Sequence, residues 1–105
     1  MKSTVWKELS PVLDKNGMLG TKIFSATEGE IVHIRFEPGA HLPAHKTPVN
    51  VAIYVVEGSA TLTIGDEIKT FEKDTLIESP KDIPHAVTND ADTVLRILVI
   101  KMPKP

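Results

Sequence analysis

Thr61-Leu62-Thr63-Ile64-Gly65-Asp66-Glu67-Ile68-Lys69 reads as a β-hairpin. Alternating residues flank Gly65-Asp66 with the two-residue period of a half-buried strand. The Gly-Asp pair supplies the positive φ that a tight turn requires. Outward from this hairpin, Glu57-Gly58 marks a second sharp corner. Short apolar stretches then recur at roughly ten-residue spacing between Gly, Pro, Asn and Asp punctuation, the pattern of a sandwich or barrel. Strands are expected over 21–24, 30–36, 49–57, 59–64, 67–71, 75–78, 86–88 and 93–101. The runs 49–56 and 94–100 are nearly continuous in apolar residues, so both of their faces should be covered. Pro38-Gly39, Pro43, Pro80 and Pro84 fall between strands, where a missing N–H harms no ladder. Only residues 1–20 leave room for helix, and Trp6-Lys7-Glu8-Leu9 before Ser10-Pro11 makes one turn at most. The expected fold is all-β, a small antiparallel barrel whose closure removes unpaired edges. It forms one domain over 1–105, with 1–20 as an N-terminal extension and the barrel over about 20–101.

The chain has 105 residues, a formal charge of −2 and no cysteine. That length suits one compact domain. The missing thiols exclude a disulfide framework, a thiolate metal site and a cysteine nucleophile. Lys and Arg are scattered among Asp and Glu, which argues against a nucleic-acid footprint. The longest apolar runs fall far short of a membrane span. The N-terminal stretch has no apolar core of a signal peptide and carries acidic residues foreign to a transit peptide. A soluble cytoplasmic protein is the expectation.

Two segments carry the chemistry. The first runs from Pro38-Gly39-Ala40-His41-Leu42-Pro43-Ala44-His45-Lys46-Thr47 through Val51 to Glu57-Gly58, and the second from Asp74-Thr75 through Ser79-Pro80 and Pro84-His85 to Asn89. Together they resemble the two motifs of the cupin superfamily. Gly39 opens the first motif, His45 takes its first histidine position and Gly58 closes it. In the second, Pro80, His85 and Asn89 match, while Asp74 and Asp82 stand where glycines are usual. The resemblance implies a double-stranded β-helix, or jelly-roll, barrel.

It also implies where a site would lie. Cupin metal sites usually take two histidines and a glutamate from the first motif and a histidine from the second. Here Thr47 and Val51 replace the second histidine and the glutamate, leaving His45 and His85. His41, four residues before His45, points the same way in an extended strand. Regular spacing separates the two by roughly 13 Å, so sharing an ion needs a bend, which Pro43 permits. The resemblance therefore implies a histidine-bearing interior pocket for a polar small molecule, with two alternatives. One holds a divalent ion (Zn, Ni, Mn or Fe) on His41, His45 and His85, as in members that are dioxygenases, isomerases or decarboxylases. The other is a metal-free binding or sensing module. Thr47, Asn50 and Tyr54 are the remaining pocket candidates.

Other residues divide between structural and functional roles. His33 shares a strand face with Arg35 and is either an interior polar group or an outward residue. Arg35 and Arg96 lie mid-strand, where an arginine usually points outward with its stem over apolar surface; turned inward, either would suit a carboxylate. Asn89 reads as a turn former. A homodimer is expected, because Trp6, Leu9, Leu13, Met18 and Leu19 are apolar enough to cross onto a partner.

Overall fold

A computed structural model describes all 105 residues. A short 3₁₀ turn (Trp6–Glu8) precedes ten strands: β1 (Leu13–Lys15), β2 (Met18–Ala26), β3 (Gly29–Phe36), β4 (His41–His45), β5 (Asn50–Glu57), β6 (Ser59–Ile64), β7 (Glu67–Glu72), β8 (Leu76–Ser79), β9 (His85–Thr88) and β10 (Leu95–Met102). They form two antiparallel sheets, one ordered β1-β2-β3-β10-β5-β8 and the other β4-β9-β6-β7. The all-β architecture follows the sequence reading. No helix is long and apolar enough to cross a membrane.

The hairpin at Gly65-Asp66 forms as expected, with Ile64 opposite Glu67, Thr61 opposite Thr70, and Gly65 at φ +60°. Gly58 turns the β5–β6 corner at φ +80°, where a Cβ would lie 2.4 Å from the Val94 carbonyl oxygen. Glycine is required there for space as well as for dihedral freedom. Asp74 and Asp82 also take left-handed conformations, at φ 68° and 62°. Aspartate is among the few non-glycine residues that tolerate this region, so the turns survive the loss of the usual glycines.

The sheets reach further than residues 20–101. Asn16 and Gly17, both at positive φ, close a tight hairpin that pairs β1 with the start of β2. The segment expected as an extension thus contributes two stretches of strand. Met18 is buried in the core and Leu13 packs against it, while Trp6 folds back onto its own chain. Three of the residues expected to cross onto a partner are therefore used within the chain.

The core lies between the sheets. Alternation sends Val32, Ile34 and Phe36 of β3, Val51, Ile53 and Val55 of β5, and Leu95, Ile97 and Val99 of β10 inward, all buried. Leu62 and Val87 meet them from the smaller sheet. Each such side chain contributes roughly 1.5–3 kcal/mol by leaving water. The same alternation puts Arg35 and Arg96 on the outer face. Arg35 pairs with Glu37, and Arg96 with Glu57 at 3.5 Å.

Candidate functional site

His45 and His85 are brought together edge to face across the β4–β9 ladder, with ring centroids 4.4 Å apart and planes at 69°. The register shifts between Leu42 and His45, so β4 carries one residue more than β9 there. A bulge of this kind reverses the side-chain alternation. Leu42 and His45 both line the cleft, whereas His41 stands on the exposed side, its Nδ1 2.7 Å from the Thr88 hydroxyl. The expectation that His41 and His45 point the same way fails for this reason, and His41 does not join the pair.

The bulge also orients His45. Its Nδ1 lies 3.1 Å from the Pro43 carbonyl, which can only accept, so neutral His45 carries its proton on Nδ1 and leaves Nε2 unprotonated. His85 is buried, and its Nδ1 lies 3.2 Å from the buried Ser79 hydroxyl. Burial pushes the His85 pKa below the ordinary value. Nearby His45 and, to a smaller extent, Lys101 act the same way, while the Ile83 backbone opposes them. The buried His85 imidazole is therefore suited to a neutral resting state.

These side chains line a cleft of about 150 Å³ between the sheets, walled by Val32, Ile34, Ile53, Val87 and Val99. One further polar group belongs to it. Lys101, continuing the inward alternation of Leu95, Ile97 and Val99, also lines the cleft. The sequence reading missed this lysine, although extending the β10 alternation by one inward position would have found it. A larger groove of about 350 Å³ opens beside β7 and β8, lined by Phe71, Lys69 and Glu78 among others, but no histidine reaches it.

The remaining pocket candidates lie outside the cleft. Thr47 is buried in the β4–β5 connection, where its carbonyl accepts from Asp82 N–H at 2.9 Å. Asn50 Oδ1 accepts from Lys81 N–H at 3.0 Å. Both thus clasp the 80–84 loop that delivers His85, and act on the cleft at one remove. Tyr54 shares the outer face of β5 with Ala52 and Val56, its hydroxyl 3.3 Å from Asp74 Oδ1. Asn89 is a structural clasp. Wholly buried, it donates through Nδ2 to the Phe36 and Thr93 carbonyls and accepts from Ala91 N–H.

The donor set does not fit a resident divalent ion. No three His, Asp or Glu side chains converge anywhere in the chain. Val51 faces inward where the resemblance calls for a carboxylate, and the third polar group of the cleft is a cation. Structural sites generally need four protein ligands and catalytic ones three.

Comparisons with known proteins agree with the architecture. The family model described as "Cupin domain" matches residues 32–101. The chain is 25% identical to the uncharacterized protein MJ0764 of Methanocaldococcus jannaschii over 85 residues, which span 80% of this chain and 73% of that protein. The crystal structure of that protein, an RmlC-like cupin with a double-stranded β-helix fold, superposes with a TM-score of 0.83 at 21% identity, covering 98% of this chain and 91% of the other. An RmlC-like cupin from Shewanella frigidimarina gives a TM-score of 0.85 at 18% identity over 98% and 91% of the two chains. The polyketide cyclase RemF from Streptomyces resistomycificus gives 0.82 at 20% identity over 97% and 79%.

Proposed function

The chain belongs to the cupin family, and from that premise we propose that it binds a small polar molecule in the interior cleft through His45 and His85, without a resident metal. The observation that carries this reading is the facing pair of imidazoles at the end of an apolar-walled cleft, with no third metal donor beside them. The cleft is smaller than the roughly 300–1,000 Å³ usual for ligand pockets. An apolar cavity of about 150 Å³ is known to admit one benzene-sized molecule, so the ligand should be of about that size. His45 with a free Nε2 lone pair, and His85 linked to Ser79, can accept and donate hydrogen bonds to its polar end.

Elemental analysis of the purified protein, followed by calorimetric titration of chelator-treated protein with zinc, nickel and manganese, tests the metal-free reading. No tight one-site binding is expected. Stoichiometric metal that His85→Ala removes would overturn it in favour of a metal-dependent site. We further propose a homodimer joined through the outer face of the larger sheet. That face carries Phe24, Leu76 and Met102, each about half exposed in the single chain.

A further inference from the structure

Lys101 is the one fixed charge lining the cleft, and no acid accompanies it there. Its Nζ lies 3.5 Å from Oε2 of Glu30, a carboxylate only 7% exposed, whose Oε1 receives Lys22 at 3.0 Å. Glu30 is thus shared by two lysines. The hydrogen bond and charge of Lys22, reinforced by Lys101, hold its carboxyl below the usual carboxylate range despite burial. Two ammonium groups face one carboxylate, so this end of the cleft carries one unbalanced positive charge when both histidines are neutral. Lys22 makes the shorter contact and is the more exposed of the two, leaving Lys101 as the cation available on the cleft side.

From this arrangement we infer that the ligand is a small organic monoanion, a carboxylate with an apolar body, whose charged end is held by Lys101 and His85. This rests on the reading of the cleft as a ligand site and adds the chemical class. A carboxylate would balance the surplus charge and accept from the Lys101 ammonium. When Ser79 O–H donates to His85 Nδ1, the imidazole carries its proton on Nε2 and supplies a second donor. The apolar body would replace water against Val32, Ile53 and Val99. A neutral polar molecule of the same shape leaves the charge unbalanced, and a cation adds to it. Glu30 is a positioning residue in this scheme: it keeps the Lys101 side chain at the cleft without entering the lining.

The test uses two pairs of probes of matched shape, benzoate with benzamide and isovalerate with isovaleramide. They are titrated into chelator-treated full-length protein and followed through the Cε1–H signals of His45 and His85. The carboxylates are expected to shift both signals and to bind about tenfold more tightly than the amides, as suits one charge-assisted contact. Lys101→Gln should erase that difference between acid and amide. Because Lys101 also contacts Glu30, the comparison of acid with amide in the unaltered protein stands apart from any folding defect of the variant. Carboxylates and amides that shift the two imidazoles with equal affinity would overturn the anion assignment and leave the cleft reading intact. If no probe moves either histidine, the cleft reading fails and the assignment fails with it.

Discussion

Trp6 lies flat on His33, ring centroids 4.3 Å apart and planes within 22°. The indole comes from the 3₁₀ turn and covers a histidine on the outer face of the larger sheet, leaving it 2% exposed. His33 Nε2 accepts from Arg96 Nε–H at 3.1 Å, and the Arg96 guanidinium lies 5.9 Å from the Trp6 ring centroid. Burial first, and the Arg96 charge second, bring the His33 pKa down to about 4. Trp6→Ala should let water reach the imidazole and raise that pKa toward its ordinary value. The expected cost is about 1–3 kcal/mol of stability, within the range for losing a buried aromatic contact. Proton titration of the His33 signal checks it; an unchanged midpoint would show that Trp6 is not what shields the ring.

The same histidine sets an acid limit. Unfolded, it titrates near 6.5; folded, at about 4. Between these values the unfolded chain takes up a proton that the native chain does not. Stability is therefore full above about pH 6.5 and falls as pH drops toward 4, by about 3 kcal/mol from this residue. His85, also lowered, contributes in the same direction. Urea melts across pH 4 to 7 should show this slope, and His33→Gln should flatten it.

Thr21 stands directly opposite His33 in the β2–β3 ladder and is 1% exposed. Its hydroxyl and His33 Nδ1 have no hydrogen-bond partner. An unmet buried hydroxyl costs about 1–3 kcal/mol, and valine has nearly the same shape with a higher strand preference. Thr21→Val should raise stability by about 1 kcal/mol. A drop in thermal midpoint would mean that the hydroxyl is satisfied in solution.

Asn89 donates to two carbonyls at once, and loss of its amide takes away a buried donor from Phe36 and a part-buried one from Thr93. Asn89→Ala should cost about 2–3 kcal/mol. Asn89→Asp should be no better, because a carboxylate cannot donate to either carbonyl. Chemical denaturation of both variants decides this; a near-neutral aspartate variant would contradict the clasp.

On the outer face, Phe24 is paired with Ile31, Ile31 with Ile100, and Leu98 with Tyr54, which pairs with Leu76. Light scattering should return about twice the 11.5 kDa chain mass, and Leu76→Glu should return a single chain with unchanged fold. A monomeric parent protein at high concentration would exclude the dimer.

How much of this was legible in the sequence depends on where alternation holds. The Gly65-Asp66 hairpin and the long apolar runs announce themselves because each strand is long enough to show its period. β1 has three residues and only Leu13 is apolar, so no period could emerge, and the hairpin signal of Asn16-Gly17, which closes the turn, was passed over. β4 was lost because four of its five residues are exposed and Pro43 lies within it. Proline is tolerated there because β4 is an edge strand. The family resemblance located His45 and His85. It gave no hint of Lys101, which lies beyond both motifs and becomes visible only once the inward face of β10 is known.

The bulge in β4 has a consequence for length. Leu42 to His45 spans three residues while Val87 to His85 spans two, so this strand behaves as if it were one residue shorter. Removing Ala44 would regularise the ladder and keep His45 opposite His85. The same deletion in β9 would transpose every side chain beyond it to the wrong side of the wall. Among related chains, a gap at this point in β4 would keep the pair opposed, and a fixed count from glycine to histidine would pass over genuine bearers of the same pair.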